Sequence, residues 1–464
     1  YKRQGNNNTK AAQFSVDTDS TNPTVALTGP SGPVTGAFDV SAKFSENVIG
    51  LTEDEIAVEG GAVTSLSGID ADYTITIEPE LGATVTVTII ADAAQDDAGN
   101  GNDVSNTYTV QAGSPASEFE AAESEIRDVL VGTAQRSLHS KVISNQRMMQ
   151  DARSRVITSQ RQQSEGDAGI SSRNNVALDL DGFARIDGAE FTAKSSFFEQ
   201  TGNFEGTQRR LVFGDFDVQR DESGSTTGSF NGKVAWEHNI SETAMLGYYL
   251  GGTLGKSDLK GTFEGKQSQY GASVGAYVVA QISDALFIDG FASLGAARNS
   301  LEMDNGTLAL TSDYVTRTAT VGGALTGIIE QEAYEIRPEL AFSYGRTSIG
   351  NVDFTGTAYD AIDDTLNLDA GTVSIASLTF RPEFYVPVSE SAGLGTNAMF
   401  TFAPRLICER VITDATTQNC GRGGEIGVSN KSDDGLTDLS VSYKVDYIGD
   451  SKRSGLVLNL SHQF

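Results

Sequence analysis

Gly271-Ala-Ser-Val-Gly275 has the G-x-S-x-G spacing that, on a sharp strand-to-helix turn, exposes a serine nucleophile. That chemistry also needs a histidine and an acid to move the proton. Here the motif sits in an alternating run between Tyr270 and Tyr277, with no helical pattern after it, and reads as mid-strand. Gly251-Gly-Thr-Leu-Gly-Lys-Ser257 approaches a loop that cradles phosphate. The first glycine that spacing requires falls on Leu250, and a following helix is missing from the pattern. His139, His238 and His462 are too scattered to suggest a shared metal. Asp92, Asp96, Asp97, Asn100 and Asp103 are oxygen donors packed into twelve residues. They could hold Ca²⁺, which takes six to eight oxygens, although the spacing is not that of an EF-hand. The competing reading is a solvated acidic turn, where Asp, Asn and Gly are favoured for backbone reasons. None of these groups amounts to a catalytic constellation. The expectation is a protein that is not an enzyme and takes no cofactor, Ca²⁺ aside.

The elements that would position such groups are bounded by composition. The chain has 464 residues, enough for about three domains. Lys and Arg number 33 against 62 Asp and Glu, for a net charge of −29, which repels phosphate backbones and argues against nucleic-acid binding. Two cysteines and three histidines exclude a cysteine-rich zinc site or a disulfide-dense scaffold. Apolar runs stay well short of the ~18 residues of a spanning helix. A transmembrane β-barrel remains open, because its alternating strands are only weakly hydrophobic. No signal peptide opens the chain, and Tyr1 reads as a cut into something longer.

Residues 5–16 reappear 94 positions later as 99–110, with Gly, Asn, an aromatic and Val in register. That period is too long for a solenoid and suits an array of Ig-size modules. Residues 1–20 then read as the end of one module and 21–115 as a complete one. Phe38–Phe44, Tyr73–Ile77 and Val85–Ile90 alternate as strands of a β-sandwich. Phe44-Ser-Glu-Asn-Val-Ile-Gly-Leu51, Asp97-Ala-Gly-Asn100 and the joint from Asp17 to Asn22-Pro-Thr24 resemble the bacterial Ig-like domains of giant surface adhesins.

From Ser117 to about Arg161 glycine nearly vanishes, proline is absent, and Ile126, Val129, Leu130, Leu138, Val142, Met149 and Val156 recur at helical spacings. Acidic residues lead this segment and basic ones follow, which complements the helix macrodipole. Over 131–163 Arg136, Lys141, Arg147, Arg153, Arg155 and Arg161 stand against Asp151 alone, a net charge of +5. The segment 116–165 is either a solvated or coiled-coil stalk, or a helix threaded through a polar, acidic cavity.

Beyond 206, twelve alternating segments can be placed, with mostly short connections on one side and, at 301–312, 349–370 and 411–422, long ones on the other. That is the topology of an outer-membrane barrel. The faces agree. Leu456, Leu458, Leu460, His462 and Phe464 share one side of the last segment, and Leu439, Val441, Tyr443, Val445 and Tyr447 one side of its neighbour. The polar faces carry Lys233, Glu237, Arg337, Glu339, Arg381, Glu383, Asp438, Lys444 and Asp446. Between helix and barrel, 166–206 is a connecting segment. Its part 176–200 reads as a plug-like hairpin or as a strand pair that would make the barrel fourteen; twelve is the reading adopted.

The tail Tyr443-Lys-Val-Asp-Tyr-Ile-Gly-Asp450 and Gly455-Leu-Val-Leu-Asn-Leu-Ser-His-Gln-Phe464 resembles the closing hairpin of autotransporters of the type Va secretion class. The resemblance covers about 117–464. It implies a linker helix inside the barrel lumen, with Arg136, Lys141, Arg147, Arg153, Arg155 and Arg161 facing walls that include Glu237, Arg337, Glu339, Arg381, Glu383, Lys444 and Asp446. It makes Phe464 the signal read by the outer-membrane barrel-assembly machinery. Asn174-Asn175 lacks the motif around the self-cleaving asparagine pair of some family members, so the passenger is expected to stay attached. The topology puts Cys408 and Cys420 outside the cell. There the compartment is oxidising and a closed ring of 13 residues is sterically easy, so a disulfide is expected.

The fold class read from the sequence is therefore all-β with one long helix: an Ig-like β-sandwich followed by a helix-plugged 12-stranded transmembrane β-barrel at 207–464. The function is an outer-membrane translocator and anchor that displays an Ig-like repeat adhesin. The expected location is the Gram-negative outer membrane with the Ig-like region extracellular. Its expected partners are outer-membrane lipids, the assembly machinery and an unidentified adhesion ligand, and the barrel is expected to be monomeric. The alternative is a soluble extracellular β-rich adhesin without a membrane barrel.

Overall fold

The structure, a computed structural model, describes residues 19–164, 177–187, 190–201, 208–221, 223–241, 243–388, 397–413, 415–432, 436–449 and 451–463. The chain divides into two compact units. One ends at Glu120 and also takes Ala358–Ala361; the other begins at Ala121.

In the N-terminal unit, β1 (Val25–Thr28), β2 (Phe38–Phe44), β3 (Ile56–Glu59), β4 (Gly61–Ile69), β5 (Asp72–Pro79), β6 (Thr84–Ile89) and β7 (Tyr108–Gln111) form two sheets, ordered β1-β2-β5-β4 and β3-β6-β7. The period-2 pattern places Val40, Ala42, Ile75 and Ile77 from one sheet against Val85, Val87 and Ile89 from the other, all fully buried. Each valine or isoleucine among them contributes about 1.5–3 kcal/mol by leaving water. The three strands read from the sequence are β2, β5 and β6.

The helical segment breaks at Ala122 into α1 (Pro115–Ala121) and α2 (Glu123–Ser164). Ser114 caps α1 by accepting from the Ser117 backbone N–H at 3.1 Å, and proline at the first helical position costs no hydrogen bond there.

The second unit is a closed barrel. Its strands are β8 (Ala177–Asp187), β9 (Glu190–Thr201), β10 (Gln208–Arg220), β11 (Thr226–Ser241), β12 (Ala244–Leu259), β13 (Glu264–Ser283), β14 (Leu286–Asp304), β15 (Ala309–Gly327), β17 (Glu335–Ser348), β20 (Thr372–Pro387), β21 (Ala398–Ile412), β22 (Thr416–Lys431), β23 (Thr437–Ile448) and β24 (Ser451–Gln463). The short β16 (Ile329–Glu330) flanks β17, and β18 (Asn351–Ala358) and β19 (Ala361–Asp369) form a hairpin that prolongs β17 and β20. Among the described residues the wall thus has fourteen strands, which corrects the expected twelve. The connecting segment supplies the extra pair: β24 pairs with β8, β8 with β9, and β9 with β10. Leu180, exposed, continues the outward apolar stripe beside Leu460, and β8 is hydrogen-bonded to β24 along its length, so the pair belongs to the wall rather than to a plug.

A second correction concerns the long loops. Segments 301–312, 349–370 and 411–422 are largely strand: β14 runs to Asp304, β15 begins at Ala309, and β18–β19 fill most of 349–370. The inside-out pattern explains why. In the lower wall, outward residues are apolar (Tyr270, Val274, Val278 and Ile282 on β13; Ile288 and Leu294 on β14) and exposed, giving a belt of about 25 Å. Beyond Tyr270 the pattern inverts. Outward positions become Lys256, Asp258, Glu264, Lys266, Glu302 and Asp304, while Leu259, Phe263, Leu301, Met303, Leu308 and Leu310 turn inward and are buried. These extensions have the sidedness of a water-facing sheet, so they persist as strands above the apolar belt. Among the described residues no helix is long and apolar enough to cross a membrane; the strands carry the apolar face. An outward face of this kind rules against the soluble alternative.

The two decoy motifs lie inside strands. Gly271–Gly275 falls in β13 and Gly251–Ser257 in β12, with neither followed by a helix.

Candidate functional site

The candidate site is the barrel lumen with α2 inside it. Near its N-terminus the Arg127 guanidinium donates to the Asp369 carbonyl, which places that end of α2 among the extended hairpins. Arg136 pairs with Asp221 at 3.1 Å. Farther down, Met148, Met149, Ala152, Val156 and Ile157 pack against Phe213, Met245, Tyr249, Tyr277, Val279, Phe287 and Phe291, close to the short turns. The helix thus runs from the hairpin end to the short-turn end.

Of the cations predicted to face the lumen, Arg153 pairs with Asp289 (2.6 Å) and with Glu339, and all three groups are buried. Arg155 pairs with Glu237, which also accepts from the Tyr277 hydroxyl at 2.9 Å. Arg147 lies 3.9 Å from Asp215 and donates to Ser196. Lys141 lines a small gap with Lys233, Ser273 and Ser293. The Arg161 side chain and Phe464 lie outside the described residues, as do Asn174 and Asn175. On the wall, Glu237 and Glu339 meet the helix. The others pair among themselves: Arg337 with Glu335, Arg381 with Glu383 at 2.9 Å, and Arg405 with Asp446 at 2.6 Å, with Lys444 at 3.9 Å from Asp446. The reason is that α2 leans on the β10–β20 side. A cavity of about 700 Å³ separates it from β21–β24, lined by Arg381, Arg405, Glu425, Lys444 and Asp446 among others.

The expectation of a polar, acidic lumen needs amending, because the lower lumen is aromatic and apolar. Asp215, Asp221 and Asp289 escaped the sequence reading; Asp289 alternates with Phe287 and Phe291 on one inward face, which hid its side. Ser137, Ser140, Ser144 and Asn145 were missed too. Ser137 donates to Gln269 (2.9 Å), Asn231 to Ser140 (3.2 Å), Lys233 to Ser144 (2.5 Å), Asn145 to Thr320 (2.9 Å) and Tyr249 to Asn145 (2.9 Å). Their i, i+3, i+7 spacing was the available signal. On the opposite flank Leu138 and Val142 close on Gly345; a Cβ there would lie 2.7 Å from Leu138 and 2.8 Å from Val142.

In the N-terminal unit the carboxylates that come together are Asp19, Glu46 and Asp96. Asn100 donates to Asp96 at 2.8 Å, and this hydrogen bond holds the Asp96 carboxyl below its ordinary range. Burial, followed by repulsion from Asp19 and Asp96, pushes Glu46 up. Asp103 accepts from Asn22 at 3.1 Å, and Asp92 sits at φ 62°; neither they nor Asp97 join the group of three.

Cys408 and Cys420 are directly opposed on β21 and β22 and form a disulfide, with Cα atoms 4.0 Å apart. It bridges two strands, not the mouth of a loop.

A sandwich of two sheets, then a closed antiparallel barrel with an apolar outer belt and a helix through its lumen, defines a surface protein anchored by a helix-plugged barrel. The family comparisons agree: residues 19–112 match the bacterial Ig-like domain and residues 212–402 the autotransporter beta-domain. The chain carries an autotransporter β-domain behind a bacterial Ig-like domain. Autotransporter β-domains are outer-membrane translocator barrels whose N-terminal region is displayed outside the cell. Similar solved structures include the translocator domain of the autotransporter NalP from Neisseria meningitidis, at 10% identity over 68% of this chain and 98% of that one, TM-score 0.36. The β domain of the Bordetella autotransporter BrkA is 13% identical over 62% and 99%, TM-score 0.34. The toluene transporter TodX of Pseudomonas putida is 11% identical over 63% and 90%, TM-score 0.35. No curated protein matches the chain.

Proposed function

We propose that this protein is a non-enzymatic surface adhesin in which the barrel exports and then holds its own passenger. The observation that carries this reading is the polarity of α2. Its N-terminal end lies among the extended hairpins and its C-terminal end at the short turns, so the chain upstream leaves the lumen on the hairpin side. The barrel-assembly machinery inserts the wall, with Phe464 as its recognition residue. Export requires no bond-making by the chain; folding of the Ig-like modules outside disfavours return through the lumen. Once export ends, the Arg153 and Arg155 ion pairs and the apolar lower contacts keep the helix in place as a tether.

Protease treatment of intact cells tests this. The Ig-like region should be removed while a fragment of roughly barrel size stays membrane-bound and resistant to extraction without detergent. Protection of the Ig-like region, or recovery of the whole chain without detergent, would overturn it. Adhesion itself is tested by deleting 21–115 and measuring attachment of cells to host or abiotic surfaces; unchanged attachment would remove the adhesin role.

A further inference from the structure

A ring of outward cations lies directly above the apolar belt. Lys256 on β12, Arg298 on β14, Arg317 on β15 and Arg346 on β17 occupy outward, exposed positions. Arg410 on β21 holds the corresponding place farther round, while Arg422 on β22, opposite Leu406, lies lower. These residues do not share one hydrogen-bonded row. Lys256 faces Ser268, one outward pair above the row of Leu254, Tyr270 and Arg298. Arg317 faces Ala296, one outward pair lower, and Arg346 faces Ala319, one lower again. Arg410 faces Ala376, which is opposite Tyr344, and so continues the descent. Tilted strands make any level circle slide across the register in this manner, so the cations other than Arg422 stay at one height.

Vertically the outward arginines separate from the acids. Just below the ring come Leu254, Leu294, Ala319, Tyr344 and Leu406. Above it come Asp258, Glu264, Lys266, Glu302, Asp304 and Asp313. In a chain with almost twice as many acids as bases, the arginines of these strands take the level next to the apolar belt, while Lys260 and Lys266 stand among the acids. At the opposite rim stand Arg210 and the turn acids Asp284, Glu330 and Glu332.

We propose that this ring docks the phosphate groups of phosphorylated lipids in the outer leaflet and so sets the depth of the barrel in the membrane. The proposal rests on the membrane reading given above. Guanidinium groups fit phosphate oxygens with two parallel hydrogen bonds, and a level ring meets a level sheet of headgroups at every strand. Arg298 shares an ion pair with Asp313 at 3.0 Å, but both partners are largely exposed, so the pair exchanges readily for phosphate.

The test uses the full chain in phosphatidylcholine vesicles with and without lipopolysaccharide, and compares it with the variant Arg298→Gln, Arg317→Gln, Arg346→Gln. Lipopolysaccharide should raise the unfolding midpoint of the parent protein, and salt should weaken the effect. In the variant the apparent affinity for lipopolysaccharide should fall about 100-fold, at roughly fivefold per cation removed, with insertion and midpoint in phosphatidylcholine alone unchanged. If the triple variant does not fold, Arg346→Gln alone should still lose about fivefold. Retained affinity in these variants, or equal binding of dephosphorylated lipopolysaccharide, overturns the proposal. Failure of the parent chain to insert into either vesicle refutes the membrane reading itself, a distinguishable result.

Discussion

If ion pairs retain the lumen helix as proposed above, Arg153 is the side chain to perturb first. It sits 2.6 Å from Asp289 and also bonds Glu339, and the three side chains are 9%, 2% and 9% exposed. Arg153→Ala takes from two buried carboxylates the ion-pair partner they share, leaving Arg381, opposite Glu339 on β20, as a neighbouring cation. Breaking a buried pair costs about 3–5 kcal/mol. The lower figure applies here, because all three residues also line the 700 Å³ cavity and water can reach the orphaned acids from it. About 3 kcal/mol multiplies the displaced population of the helix roughly 100-fold. In planar bilayers open events should become more frequent by that factor, and amide exchange over 145–157 should accelerate in parallel. Adding Asp289→Asn and Glu339→Gln removes the stranded charges and should recover most of the loss, since replacing every member of a buried charge cluster is far cheaper than removing one. Equal opening in the single and triple variants would mean that packing, not charge, holds the helix. Unchanged conductance in Arg153→Ala would refute the tether altogether.

Gly345→Val should displace α2 without touching a charge, because its side chain would collide with Leu138 and Val142; conductance should rise while the heat-modifiable barrel stays folded. Reversal of Arg147, Arg153 and Arg155 to Glu should open the lumen further than Arg153→Ala; cross-linking of the helix to copies of itself with unchanged conductance would favour a coiled-coil stalk. Non-reducing mass spectrometry should recover Cys408 joined to Cys420, and Ser at both should spare barrel assembly, since the flanking strands pair on either side of the bridge. Deleting Phe464 should sharply reduce barrel insertion while leaving the Ig-like unit folded; normal abundance of the truncated protein in the outer membrane would refute that role. In the N-terminal unit, Glu46 binds its proton more tightly folded than unfolded, so it costs stability at neutral pH and the cost fades as pH falls through its raised pKa. Asp96 has the opposite sign: its contribution is present above the unfolded pKa and is lost as pH falls through its lowered one. Glu46→Gln should therefore raise, and Asn100→Ala lower, the unfolding midpoint of that unit at pH 7, with both differences shrinking below about pH 4.

Local periodicity determined a great deal by itself. Strands β2, β5 and β6, the basic helix and the outward stripes of β23 and β24 were legible because each is set by the alternation or helical repeat of its own residues. The pairing of Cys408 with Cys420 was legible from their spacing, the compartment and the family topology. Tertiary structure decided what depends on partners distant in the chain. Whether 176–200 plugs the lumen or joins the wall turns on whether the edges of β24 and β10 meet each other or a further pair, and local alternation is the same in both cases. The hairpin extensions read as loops because their alternation inverts where solvent replaces lipid, and a single sequence window carries no marker of that boundary. Asp289 and Glu339 are 50 residues apart and become one site only because Arg153 is threaded between their strands. A charge pattern can announce that a helix needs acids, but closure of the barrel chooses which ones it meets.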